Sequence, residues 1–288
     1  MSGDTATKAS DDNNKALSKV KKEALIYHKQ AGVATLTFNR PKARNAITTA
    51  MALDMERYLL DIAADDEIRE VVLTGADKTF CAGADLMPES KEQRRETQAI
   101  AFPGDQGGDI LDRCNRCILR LQRLPKPVLA SISGNAVGIG CSFALAADLR
   151  IASVTAAMGV VFSKIGLGPD GGASYFLRQL VGSAKALELL FFGEKIPASQ
   201  ALELGLLNWV VAPEELESAT NELAERLAKG PTLAYAMAKT AVYQGANLAI
   251  ESALDLEARL QHVATRSQDA KEGISAFIER REPVFQGC

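Results

Sequence analysis

Histidine is nearly missing from this chain: 288 residues carry only two, His28 and His262. So small a supply leaves almost no raw material for a histidine-rich metal centre or a histidine-dependent proton relay. A surplus of either charge is missing too. Lys and Arg number 33 against 36 Asp and Glu, a formal net charge of −3. That balance gives no reason to expect nucleic acid or an anionic membrane as partner. Cysteines are five, an odd number at scattered spacing, and the chain starts without an apolar leader. The expectation is free thiols in a reducing, cytoplasmic setting. One uncharged run, Pro127 to Ala147, is long enough for a membrane span. It is broken, however, by Pro127, Ser131, Ser133, Gly134, Asn135, Gly138, Gly140 and Ser142. A buried strand, a turn and a helix start explain that mixture better, so no membrane is expected.

What is present is ample chain for a buried core and the apolar and charged fractions of an ordinary globular protein. Residues 1–22 are polar and poor in large apolar groups, the composition of a disordered arm. Short apolar runs then read as strands: Ala24 to Tyr27, Val33 to Phe38, Val71 to Leu73, Pro127 to Ile132 and Leu149 to Ala152. Helical patterns alternate with them, as in Thr48 to Ala64, where Met51, Leu53, Met55, Leu59, Leu60 and Ile62 supply an apolar face. This alternation predicts an α/β core over 23–212. Beyond it the character changes. Glu214 to Ala228, Thr232 to Gln244 and Ala249 to Gln268 read as helices punctuated by Pro231 and Gly245, giving a helical region over 213–288. Pro88 to Asp109 is a long, largely polar connection, either a mobile cover or a solvent loop.

Several familiar chemistries fail on this sequence. Gly138-Ile139-Gly140 follows a strand as a dinucleotide fingerprint would, but Phe143 fills the third small position, where close helix–strand packing needs glycine. Gly140-Cys141-Ser142-Phe143-Ala144 nearly matches a nucleophile elbow, and its plain alternative is a serine in the first turn of a helix. Cys114 and Cys117 form a C-x-x-C inside an apparent helix with no second ligand pair nearby, so no metal is expected. Three turns remain: Thr79 to Leu86, Ala136 to Ala144, and Gly166 to Gly172. Any one of them could be a simple tight turn. Taken together they suggest a site built from main-chain donors.

From about Leu25 to Phe285 the sequence resembles the crotonase superfamily of enoyl-CoA hydratases and isomerases. The resemblance rests on Phe38-Asn39-Arg40-Pro41 with Asn45-Ala46, Phe80 to Leu86, Lys126-Pro127-Val128, Gly134 to Gly140, Gly166 to Gly172 and Gly273 to Phe277, all in one order. It implies a spiral of repeated β-β-α turns followed by a helical trimerisation region. It also implies an acyl-CoA thioester as substrate, CoA entering as part of that substrate rather than as a cofactor, and a homotrimer or dimer of trimers. In this family two backbone N–H groups hold the thioester oxygen, and the matching positions here are Ala84 and Ile139. The family commonly has glycine where Ile139 stands; the N–H is kept, and the side chain reshapes the acyl pocket. Ala82 and Ala84 match positions lining the adenine pocket, Arg44 is the candidate for the phosphates, and Phe277 and Arg280 match residues that reach a neighbouring subunit's CoA.

The family's hydratases use two glutamates, and the matching positions here are Ser142 and Phe162, neither of which can act as a carboxylate. Asp170, in Pro169-Asp170-Gly171-Gly172, lies where some relatives place a catalytic aspartate. One carboxylate suffices for a 1,3 proton shift, so the resemblance points to an enoyl-CoA isomerase with Asp170 as base. Three alternatives stay open: a hydratase drawing a second acid, Glu92 or Glu96, from the Pro88 to Asp109 segment; a thioesterase using Ser142; and a silent acyl-CoA binder. Asp85 is expected to fix its turn, and Asn39 and Asn45 to shape the loop after Val33 to Phe38.

Overall fold

The structure, a computed structural model, describes residues 23–87, 90–102 and 105–288, with the main chain alone at Glu92, Gln93, Glu96 and Ala99. The arm expected over residues 1–22 lies outside the described residues. The first described elements are β1 (Leu25–Gln30) and β2 (Val33–Phe38), an antiparallel hairpin in which Leu25 faces Phe38 and Gln30 faces Val33. Its two-residue turn has positive φ at both Ala31 (50°) and Gly32 (80°), the geometry whose twist matches that of the strands. In β2 the side chains of Ala34, Leu36 and Phe38 are buried and those of Val33, Thr35 and Thr37 are not, the period of two that the sequence announces.

Parallel strands extend this hairpin. β3 (Glu70–Gly75), β5 (Val128–Ile132), β7 (Leu149–Ser153) and β10 (Trp209–Val211) complete a six-stranded sheet in the order β1-β2-β3-β5-β7-β10. A second sheet runs β4 (Thr79–Cys81), β6 (Asn135–Val137), β8 (Ala157–Gly159) and β9 (Ile196–Pro197). Three passes of the chain, β3 with β4, β5 with β6 and β7 with β8, lay a long strand in the first sheet and a short one in the second before closing with a helix. β5 and β6 lead into α4 (Ile139–Ala146), and β7 and β8 into α5 (Ala173–Phe192). Earlier passes supply α1 (Thr49–Ala64), α2 (Lys91–Ala99) and α3 (Ile110–Arg123), and α6 (Ala198–Glu203) comes after β9. This is the spiral of β-β-α turns that the resemblance implies.

The core lies between the first sheet and these helices. Phe38, Phe80 and Phe143 are its largest fully buried side chains, with Phe38 edge-on to Phe80 at 5.6 Å and to Phe143 at 5.9 Å between ring centres. Phe143, the residue that rules out a dinucleotide fingerprint, thus anchors α4 in the core. The other face of the sheet is covered by α7 (Leu216–Ala228), where Leu216 packs with Leu129 and Ile151. Beneath the helices beyond α7, Asp148 accepts hydrogen bonds from Lys239 Nζ at 2.8 Å, the Tyr243 hydroxyl at 3.0 Å and the Val128 N–H at 2.9 Å. A largely enclosed carboxylate so surrounded, its side chain 18% exposed, is held by the set as a whole.

Two expectations need correction. The Pro88 to Asp109 connection is not structureless, because α2 lies inside it; its sequence KEQRRETQA has no large apolar residue and so no helical stripe to read. In the last region α8 (Thr232–Gly245) stands where expected, but the third helix ends four residues short of the expected Gln268 and a fourth helix, not expected, follows it. α9 (Ile250–Ala264) stops, and α10 (Gln268–Glu279) begins after Ser267, whose hydroxyl accepts from the Ala270 N–H at 2.9 Å as a helix cap. Among the described residues no helix is long and apolar enough to cross a membrane.

Candidate active site

β4, β6 and β8 are mutually parallel, with Cys81 opposite Ala136 and Val137 opposite Gly159. The segments leaving these three strands must therefore emerge at the same edge of the second sheet. They are Ala82 to Leu86, then Gly138 and the start of α4, then the segment from Val160 to Gly172. The three turns singled out by sequence are brought together by this stacking.

The first turn is held by main-chain bonds. Ala82 N–H donates to the Arg44 carbonyl at 3.0 Å, Ile47 N–H to the Gly83 carbonyl at 2.9 Å and Asp85 N–H to the Ile47 carbonyl at 2.8 Å. Ile47 and Ala84 thus form a parallel bridge, and in that pattern the N–H of Ala84 points away from Ile47. Asn45, fully buried, fixes the loop behind it: Nδ2 donates to the carbonyls of Ala76 and Thr79, and Oδ1 accepts from the Arg40 N–H. Asn39 donates to the Glu23 carbonyl at 2.8 Å. Asp85 braces its own turn, pairing with Arg40 Nη1 at 2.8 Å and accepting from the Met87 N–H at 3.1 Å.

The second turn starts α4. Gly138 is the helix cap and Ile139 the first helical residue, whose N–H has no intrahelical acceptor and sits at the positive end of the dipole. The glycines preceding the N–H groups of Ala84 and Ile139 lie close together: a Cβ on Gly83 would stand 3.2 Å from the Val137 carbonyl oxygen and 3.9 Å from Gly138 Cα. Gly83 also has φ of 106°, which only glycine adopts readily. A Cβ on Gly140 would lie 2.5 Å from the Cys81 carbonyl oxygen, so α4 is seated directly on the end of β4.

The third turn carries Asp170. Gly171 presses on the second turn, since a Cβ there would meet Ile139 Cδ1 at 2.6 Å and Ser142 Cβ at 2.8 Å. Asp170 is half-buried, and its Oδ1 is buried with no hydrogen-bond partner among the described residues. Burial alone pushes its carboxyl above the ordinary carboxylate range. Phe162, buried, closes the site beside Gly138; its Cε1 would be 3.9 Å from a Cβ on that residue. The Cys114 thiol is pushed up first by burial, then by the neighbouring Cys81 and Asp170 charges. That thiol is neutral where the carboxyl titrates, so it returns no shift. Cys81 and Cys141, also buried, are pushed up to about 12. None of these is a nucleophile at neutral pH.

The remaining candidates divide. Arg44 is exposed and is joined to Ala82 through the carbonyl bond above, so the two sit side by side. Phe277 is 85% exposed, and Arg280 is exposed at the left-handed end of α10; both lie on the surface rather than among the three turns. Ser142 is fully buried with its hydroxyl donated to a carbonyl, while His28 and His262 are exposed on β1 and α9. The serine therefore lacks the access and the base that a nucleophile needs. The side chains of Glu92 and Glu96 lie outside the described residues. Sequence reading passed over Ile118, whose Cδ1 would meet a Cβ on Gly171 at 2.9 Å, and the tie from Ser142 to the third turn. The second had a signal: Ser142 lies three residues after Ile139, hence on the same helix face. Two concavities elsewhere, of about 850 Å³ beside α7 and about 670 Å³ beside the break at Gly182 in α5, contain none of these turns.

Residues 28–288 match the family model described as enoyl-CoA hydratase/isomerase. The 1,2-epoxyphenylacetyl-CoA isomerase of Escherichia coli (strain K12) is 37% identical over 265 residues, covering 92% of this chain and 99% of that protein. A probable enoyl-CoA hydratase of Rhodobacter capsulatus is 36% identical over 262 residues, covering 91% and 97%. Among solved structures, an enoyl-CoA hydratase from Bacillus anthracis superposes with a TM-score of 0.82 at 30% identity, covering 92% of this chain and all of that one.

Proposed function

The chain belongs to the enoyl-CoA hydratase/isomerase family, and from that membership we propose that it is an isomerase moving a double bond along an acyl-CoA thioester. Asp170 is the base, and the N–H groups of Ala84 and Ile139 are the oxyanion donors. The observation that carries the reading is the Asp170 carboxylate, on a turn packed against the start of α4, with Oδ1 buried and without a hydrogen-bond partner among the described residues. At the two positions where the family's hydratases have glutamates, this chain has a buried serine and a buried phenylalanine.

In the reaction, Asp170 takes a proton from the carbon beside the thioester of a 3-enoyl ester. The electron pair moves onto the carbonyl oxygen, where the two N–H donors meet the growing charge without needing to reorganise. The double bond re-forms between carbons 2 and 3 as the same carboxyl returns the proton to carbon 4. Atoms and charge balance with no other reactant. Phe162 keeps water from the enolate face, which favours proton return over addition. Arg44 and Ala82 hold the CoA portion, and Phe277 and Arg280 reach the CoA of a neighbouring subunit in a homotrimer or dimer of trimers. The E. coli relative named an isomerase supports this reading; the R. capsulatus relative named a probable hydratase supports the second, hydration.

Products separate the two. With a panel of 2-enoyl-, 3-enoyl- and cyclic acyl-CoA esters in heavy water, isomerisation gives deuterium uptake and a shifted double bond, whereas hydration gives a 3-hydroxyacyl ester. Because the working form of Asp170 is ionised and its carboxyl titrates above the usual range near about 4, kcat/KM should fall as pH drops through a value higher than that. An acid limb at or below an ordinary carboxylate's would contradict the assignment.

A further inference from the structure

Ser142 has one hydroxyl proton and two carbonyls in reach. That of Gly138 is 3.5 Å away, the limit for a hydrogen bond, and already accepts the Ser142 N–H at 3.1 Å. That of Asp170 is 3.0 Å away. The proton goes to Asp170. The same carbonyl accepts the Ala173 N–H at 3.1 Å, so the peptide following Asp170 is pinned between α4 and the first turn of α5. Its next residue, Gly171, has φ of 58° and rests on Ile139 and Ser142 with no room for a side chain. The Asp170 carboxylate, by contrast, has Oδ1 free of any partner among the described residues.

We propose that Ser142 is the positioning residue of the base: its hydroxyl anchors Asp170 by the main-chain carbonyl, so that the carboxylate is placed with Oδ1 left free for the substrate proton. This rests on the isomerase reading above. A base held by its side chain would share the lone pairs it needs for the substrate proton; a base held by its backbone keeps them. The anchor stands on α4, three residues after the N–H of Ile139, so one turn of helix fixes the distance between the oxyanion donor and the base. Ser142 thus does through a carbonyl what a side chain in that place would otherwise do to the substrate.

The test compares Ser142→Ala, Ser142→Thr and Asp170→Asn by steady-state kinetics across pH, with thermal unfolding of each. Ser142→Ala is expected to lower kcat about 10-fold, the scale of a modest misplacement of a reacting group, with KM within about twofold. Its acid limb should move down in pH, because the loosened carboxylate reaches water, and Ser142→Thr should restore most of kcat. Should the alanine variant not fold, Ser142→Cys, similar in bulk but a weak donor, takes its place with the same expectation. An unchanged kcat and acid limb in Ser142→Ala, beside an inactive Asp170→Asn, overturns the positioning role and leaves the isomerase reading standing. A loss in kcat that threonine does not restore, or one matched by KM with the acid limb unmoved, overturns it as well. An active Asp170→Asn removes the isomerase reading itself.

Discussion

Replacing Asp170 by Asn is expected to lower kcat by about 10²–10⁴-fold, the usual worth of a positioned general base, while CoA-ester binding stays close to that of the parent. The amide keeps the shape of the carboxyl and cannot take a proton. The proposed oxyanion donors, the N–H groups of Ala84 and Ile139, and the proposed CoA contacts at Arg44 and Ala82 are untouched. Stability should not fall. A carboxyl whose folded-state value is raised contributes most to stability below its unfolded value, and that contribution is lost as pH rises through the folded one. At neutral pH the ionised, half-buried group therefore opposes folding, and the neutral amide removes that opposition. Isotope exchange at the substrate, isothermal titration with a CoA ester and a melting curve check the three parts together. Retained exchange in Asp170→Asn would assign the base elsewhere.

The second large effect concerns a donor that no ordinary substitution can remove. Ile139 is the first residue of α4, the one helical position where proline fits, because its N–H has no intrahelical use. The preceding Gly138, at φ 56° and ψ −131°, lies in the mirror image of the extended region that residues before proline prefer, open to glycine alone. Ile139→Pro should therefore delete one of the two proposed oxyanion donors with little disturbance of the backbone, lowering kcat by about 10²–10³-fold. Ile139→Ala is the necessary control, since it removes the side chain that packs on the third turn yet keeps the N–H. The proline variant should be far slower than the alanine variant, with similar unfolding curves. Equal rates would mean that the amide holds nothing.

The long strands and α1 could be read from the sequence because Val33 to Phe38 alternates at a period of two and Thr48 to Ala64 repeats at helical spacing. The second sheet could not. Strands of two or three residues, such as Asn135–Val137 and Ile196–Pro197, are too short to show a period; they exist because neighbours in the spiral supply their partners. α2 was hidden for a different reason, having charge on nearly every side and no apolar face. The site divides in the same way. Ala84, Ile139 and Asp170 are reached through glycine-bearing turns and their family resemblance, and the stacking of β4, β6 and β8 explains why such distant turns meet. Sequence spacing puts Ser142 on the helix face of Ile139, but its tie to the Asp170 carbonyl, 28 residues away, depends on how α4 sits against the third turn. Gly171 records that contact in the sequence, but only its lack of a side chain does so, and many glycines have other reasons.

Most depends on where the thioester oxygen rests. A crystal structure of the protein with an acyl-CoA ester, or with a stable enolate mimic, measures this directly. The oxygen should lie about 2.7–3.1 Å from both the Ala84 and the Ile139 nitrogens, with an Asp170 oxygen facing the carbon beside the carbonyl. An oxygen bound to side chains instead, or beyond hydrogen-bond reach of either nitrogen, would contradict it.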